Sequence, residues 1–159
     1  MGSAAFNVII MHGHSDEWKK IDKMLGDLGF TARVLIREYT ANTIFEHLRD
    51  IVWDEIHAAI ILLSCDDLTT GQKYRARQNV VFELGYCFGA FDSLDDRGIY
   101  TANDALVIVA ENGVELFSDI DGLKRIDYEK GRLGRRKKEI QEAITHSYKK
   151  ASQYYRELR

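Results

Sequence analysis

The sequence predicts a doubly wound, flavodoxin-like α/β domain with a central five-stranded parallel sheet, on three observations. Short β-rich apolar runs alternate with segments of helical periodicity. The runs are continuously apolar rather than alternating, as expected of strands covered on both faces by crossover helices. Five such strand–helix units fill the 159 residues as one domain.

The first strand, Phe6–Met11, is broken by His12-Gly13-His14-Ser15-Asp16. Ser15 or Asp16 caps a helix reaching about Leu28, with Trp18, Ile21, Leu25 and Leu28 on one face and Gly29 as its stop. Ala32–Ile36 reads as the second strand, and Thr40–Asn42 leads into a helix with Ile44, Leu48, Ile51 and Val52 inward. Ala58–Leu63 is the clearest buried strand, closed by Ser64-Cys65-Asp66-Asp67. The polar segment Leu68–Tyr74 feeds a helix within Arg75–Phe91. Asp92–Asn103 reads as a polar loop, Ala105–Ala110 as the fourth strand and Leu123–Tyr128 as a short fifth. Arg135–Arg159 reads as a long amphipathic helix with Ile140, Ile144, Tyr148, Ala151, Tyr155 and Leu158 as its stripe. The Arg135-Arg136-Lys137-Lys138 run at its start reads as a solvated face. Met1–Ala5 (residues 1-5) reads as an expression remnant, which leaves residues 6–159 as the single domain.

Apolar content of 45% and charged content of 30% are those of a water-soluble globular domain. A net charge of −3 gives no general pull toward nucleic acid or an anionic membrane surface. No apolar run approaches the ~18 residues of a membrane span. The two cysteines, Cys65 and Cys87, sit in apolar segments and form no disulfide framework, so a reducing cytoplasmic setting is expected.

The most informative stretch is Arg75–Phe91. From Val80 to Phe91 every residue is apolar, aromatic, Cys or Gly except Glu83. A helix apolar nearly all round is expected to be buried, and a carboxylate there must be paired, hydrogen-bonded or protonated. Arg75, Asn79, Glu83 and Cys87 share one face at helical spacing, with Arg77 and Gln78 beside them. Two readings of Glu83 stand side by side: a catalytic carboxylate, or a structural one tying the helix to a neighbouring loop or basic side chain. Ligands in such folds bind beyond the carboxyl ends of the strands, so the first loop and this helix should border one crevice.

Several chemistries lack their devices. The Gly-x-Gly-x-x-Gly turn of dehydrogenases is missing, since the first loop offers only His12-Gly13-His14, and there is no P-loop. A receiver domain would want an acidic pair at the end of the first strand. A metal site from His12, His14 and Asp66 has no further His/Cys cluster to support it. A single carboxylate without a partner acid suits cleavage of a bond that ionises easily, such as loss of nicotinamide from a ribose. There it can stabilise the oxocarbenium-like cation, hold the ribose hydroxyls or act as nucleophile. Arg75 or Arg77 could hold a pyrophosphate.

Four stretches together carry a family resemblance: Ile9-Ile10-Met11-His12-Gly13-His14, Ile60-Ile61-Leu62-Leu63-Ser64-Cys65-Asp66-Asp67, Arg75 through Tyr86, and Ser118-Asp119-Ile120-Asp121-Gly122. They resemble the bacterial TIR-like "predicted nucleotide-binding" domains, effector modules of cyclic-nucleotide antiphage systems that include fusions to bacterial STING. The resemblance runs from about Phe6 to Tyr128. It implies cleavage of NAD+ to nicotinamide and a linear or cyclic ADP-ribose, with the glutamate of the Phe-Glu-Leu-Gly motif, Glu83, as the essential group. It also implies His12, Gly13, Asp66, Arg75 and Gln78 as substrate contacts, beside which Arg77 stands as the pyrophosphate candidate, with NAD+ as substrate, no cofactor or metal, and activation by TIR–TIR self-association. A sensor domain outside these residues is a further implied partner. Members often carry a Gly/Lys-rich assembly loop where this chain has Arg37-Glu38-Tyr39-Thr40-Ala41-Asn42-Thr43. Two other functions fit the same residues: a non-catalytic TIR assembly module, and a nucleoside deoxyribosyltransferase relative acting on deoxynucleosides.

Overall fold

The computed structural model describes residues 6–34, 49, 56–94, 97–120 and 122–158. Strands β1 (Asn7–His12), β2 (Thr31–Val34), β3 (Ala58–Leu63), β6 (Leu106–Glu111) and β8 (Arg125–Tyr128) form one parallel sheet in the order β2-β1-β3-β6-β8. The five-stranded doubly wound sheet expected from the sequence is therefore present. Val8–Met11, Ala58–Leu63 and Leu106–Ala110 are each no more than 1% exposed, which is why these runs carry no polar alternation. The flanking strand β8 does alternate, with Ile126 and Tyr128 buried and Arg125 and Asp127 outside.

From β1 the chain moves outward to β2, then returns to β3 and moves the other way to β6 and β8. Right-handed crossovers therefore place α1 (Trp18–Asp27) on one face and α2 (Gln78–Asp92) on the other. The last helix, α4 (Lys137–Glu157), packs beside α1. The direction of winding reverses between β1 and β3, where the crevice opens.

Local chemistry explains the boundaries. α1 ends as expected at Gly29, whose φ of +75° suits glycine. Gly29 N–H donates to Gly26 O at 2.9 Å and Phe30 N–H to Leu25 O at 3.1 Å, the two bonds of a Schellman stop. Its start differs from expectation: neither Ser15 nor Asp16 caps it, and Ser15 Oγ instead accepts the Glu17 N–H at 3.2 Å in the preceding turn. The expected polar loop 92–103 gives way to a short helix, α3 (Ala102–Ala105), closed by a capping box between Thr101 and Asp104. In α4 the buried stripe is Ile140, Ala143, Ile144, Ser147, Ala151 and Tyr154, while Tyr148, Tyr155 and Leu158 are exposed. Ser147 fits the stripe because its hydroxyl donates to Ala143 O at 3.3 Å. Ile36, the helix with Ile44, Leu48, Ile51 and Val52, and the loop 37–43 lie outside the described residues.

At the foot of the sheet, His57 N–H donates to Asn7 O at 2.9 Å and Asn7 N–H donates to His57 Nδ1 at 3.1 Å. Burial holds the His57 imidazole below its ordinary pKa, so the neutral ring is the folded form. The unfolded chain then takes up a proton first as pH falls below about 6.5, and stability drops from there until the folded ring titrates. Urea unfolding at pH 7 and pH 5.5 should show wild type losing more stability between the two than His57→Gln.

Candidate active site

The carboxyl ends of β1 and β3 meet the start of α2 through one side chain. Asp66 Oδ1 accepts the His14 N–H at 3.2 Å and the Ser64 hydroxyl at 2.8 Å, while Oδ2 accepts the Arg77 N–H at 3.2 Å. Gly13 lies against this carboxylate so closely that a Cβ there would stand 1.8 Å from Asp66 Oδ2. Of the residues expected in the site, Gly13, Asp66 and Arg77 are therefore brought together. Asp66 holds the first loop, the β3 end and the α2 start in one arrangement, and its negative charge sits at a helix N-terminus, where it is favourable.

Arg75 corrects the sequence expectation. It does not share a helix face with Asn79, Glu83 and Cys87, because α2 begins only at Gln78, after an extended Arg77 with ψ of 132°. Arg75 belongs instead to β5 (Tyr74–Arg75), which pairs with β4 (Asp67–Leu68) and β7 (Val114–Glu115) in a small second sheet. Its Nε lies 2.6 Å from Glu115 Oε2, and Lys73 Nζ reaches Oε1 at 3.3 Å. Hydrogen bonds to those two cations hold the Glu115 carboxyl below the usual range. Arg75 and Gln78 together line a cleft of about 550 Å³ with Val81, Glu115 and Phe117. The Arg77 guanidinium makes no ion pair among the described residues.

Glu83 is 1% exposed on the sheet-facing side of α2, amid Val80, Leu84 and Cys87. One turn further in, Cys87 Sγ lies 3.8 Å from Met11 Sδ, which places Glu83 nearer the strand ends than that contact. Burial, with the Glu83 carboxylate adding to it, pushes the Cys87 thiol up to about 12; this cysteine is a packing group and no nucleophile. The opposite side of α2 is less covered than an all-apolar helix predicts. Phe82 and Phe88 are 53% and 39% exposed, because a helix lying on a sheet buries only one side.

His12 stands apart from Glu83. Consecutive strand residues face opposite ways, so with Met11 toward α2 the His12 ring turns to α1 and stacks on Trp18 at 5.1 Å between centroids. Its Nδ1 lies 2.9 Å from Gly13 O.

Two buried polar residues at the strand ends escaped the sequence reading, Glu111 and Tyr128, 6% and 1% exposed. Glu111 Oε2 accepts the Cys65 N–H at 3.2 Å. Burial, then the Glu111 charge, raises the Cys65 thiol against the opposing pull of Lys130. The available signal was a glutamate closing a strand that is otherwise wholly apolar. Among the described residues no group of three or more His, Cys, Asp or Glu is placed to hold a metal ion. None of their helices is long and apolar enough to cross a membrane.

Comparison with solved structures finds a diflavin flavoprotein A3 from Nostoc sp., with 15% identity, all of both chains covered and a TM-score of 0.52. At that identity the likeness shows the flavodoxin-like fold alone. Comparison with curated protein sequences finds no match. Residues 7–130 match the family described as CAP12/Pycsar effector protein, TIR domain. Because that match runs from the first strand past the last and takes in α2 with its buried glutamate, it shows the family: this chain belongs to the TIR domains of CAP12/Pycsar effectors, bacterial antiphage effector domains.

Proposed function

We infer that this effector domain acts by releasing nicotinamide from NAD+, with Glu83 as the group that meets the reacting ribose. The observation that carries the reading is a carboxylate 1% exposed in the middle of an apolar helix at the ligand-binding end of the sheet. Nicotinamide leaves as a neutral base, so no general acid is needed. What the reaction requires is a negative group beside the ribose as its C1′ becomes cationic, and a carboxylate in a low-dielectric setting supplies that strongly. Arg77 and, after release from Glu115, Arg75 are the groups available for the pyrophosphate, with Gln78 at the helix start. Gly13 and Asp66 shape the loop that this substrate would lie against.

At 1% exposure Glu83 cannot touch a substrate while the domain stays as it is. Activation by self-association follows as part of the proposal: a neighbouring copy shifts the surrounding segments and opens the carboxylate to NAD+. The assay is nicotinamide release from NAD+ across rising protein concentration, with and without a fused oligomerisation tag. Release per molecule should steepen with concentration and rise with the tag. A constant low rate per molecule under all these conditions would refute the assembly requirement.

A second reading is favoured by one observation, the exposure of Phe82 and Phe88 on the outer side of α2. In this reading the domain is an assembly module without turnover, and Glu83 is a structural carboxylate. It predicts no nicotinamide release even when assembly is forced.

A further inference from the structure

The buried Glu83 carboxylate lies on one flank of α2, and the helix fixes which other side chains share that flank. Successive residues turn by about 100°. Asn79, four residues earlier, therefore stands about 40° from Glu83 and about 6 Å nearer the start of the helix. Gln78 stands about 140° round from Glu83, and it lines the cleft of Arg75, Val81 and Phe117 on the other flank. Of the two carboxamides in the first turn, Asn79 is the one on the side of Glu83.

Exposure falls along this flank. Asn79 is half-buried, Glu83 is 1% exposed and Cys87 is wholly buried. The outer end is the one anchored at the strand ends, since the Arg77 N–H, two residues before Asn79, donates to Asp66 Oδ2 at 3.2 Å. A ligand entering from the carboxyl ends of the strands meets Asn79 before Glu83. Asn79 does not lack a partner, but a carboxamide has two N–H donors and an oxygen with two lone pairs, more than one partner uses.

The spacing fits the leaving group. In NAD+ four bonds separate the ribose C1′ from the carbon of the nicotinamide carboxamide, an extended span of about 5 Å. The helical step from Glu83 to Asn79 is about 6 Å. With Glu83 beside C1′, the nicotinamide amide therefore comes level with Asn79. Two carboxamides pair reciprocally, each donating an N–H to the oxygen of the other. The ribose 2′-hydroxyl, two bonds from C1′, falls to Glu83 itself.

We propose that Asn79 recognises the nicotinamide carboxamide and so selects dinucleotides whose pyridine ring carries an amide. The assignment rests on nicotinamide release at Glu83. It divides the work along one helical turn: Asn79 holds the leaving base, and Glu83 serves the cation that forms at C1′.

The test is kcat/KM for release of the pyridine base from NAD+, from 3-acetylpyridine adenine dinucleotide and from nicotinic acid adenine dinucleotide. Wild type, Asn79→Ala and Asn79→Asp are compared, all in enforced oligomers. The acetyl analogue keeps the carbonyl and loses the N–H donors. Its intrinsic reactivity and the folded fraction of each protein both cancel when the ratio of NAD+ to analogue is compared between proteins. In Asn79→Ala that ratio should fall about tenfold from wild type, the scale of one lost hydrogen bond. Asn79→Asp, whose carboxylate still accepts from the amide, should keep the preference for NAD+ over the acetyl analogue. It should discriminate further against the nicotinic acid analogue, whose carboxylate it repels. A preference for NAD+ that is the same in wild type and Asn79→Ala would overturn the proposal and leave release at Glu83 standing. No release of any base by assembled wild type would overturn the release reading, and the proposal with it.

Discussion

Gly13→Ala is expected to destabilise the fold by about 2–3 kcal/mol, through overpacking against a side chain with nowhere to go. For a chain of this length that is roughly 5–10 °C in Tm. The added Cβ would stand 1.8 Å from Asp66 Oδ2 and 2.7 Å from its Cγ. A lone surface carboxylate would swing away at little cost. Asp66 cannot, because its two oxygens are fixed by the His14 and Arg77 N–H groups and the Ser64 hydroxyl. Asp66→Ala alone should cost about 1–3 kcal/mol, since three donors on three segments lose one acceptor. The pair should be non-additive: once Asp66→Ala has removed the carboxylate, Gly13→Ala has little left to strike. Thermal melts of the two single variants and the double variant measure the coupling. Additive losses would mean that Gly13 and Asp66 do not constrain each other.

Glu83→Gln should lower nicotinamide release by on the order of 10³-fold or more, the scale of losing a group that stabilises transition-state charge. The substitution keeps shape, but it removes the charge and turns one acceptor oxygen into a donor amide. Glu83 does not lack an interaction partner, so the variant should melt below the wild-type temperature whichever role the carboxylate has. Release per folded molecule separates the roles: a fall of that size beyond the loss of folded protein marks a group that acts in the chemistry. If Glu83 is instead a structural carboxylate, Glu83→Gln should leave any release in proportion to the folded fraction.

How far the sequence could be read depended on whether the signal was local. Ala58–Leu63 and Leu106–Ala110 were legible because a strand buried on both faces has no polar residue to interrupt it. Glu83 was legible for the same reason, as the lone carboxylate in an apolar run. Arg75 was misplaced on the helix because its spacing to Asn79 and Glu83 is helical, whereas its backbone is claimed by pairing with Glu115 forty residues later. The β4–β5 hairpin was hidden because two-residue strands carry no periodicity. The Thr101–Asp104 capping box was in plain view, yet its helix is a single turn inside a polar stretch. In α4 the phase slipped at Ser147, whose polarity argues against burial until its bond to Ala143 O is seen. Asp66 as a substrate contact came from the family resemblance, not from any spacing. Its bonds to the first loop and to α2 depend on a tertiary meeting that no spacing announces.

The most direct test of the central claim is a paired assay of nicotinamide release from NAD+ by wild type and Glu83→Gln, both held in enforced oligomers and both shown folded by thermal melting. Wild type should release one nicotinamide for each ADP-ribose product formed, with release by Glu83→Gln at the level of buffer. Equal release by the two proteins, or no release by assembled wild type, would contradict it.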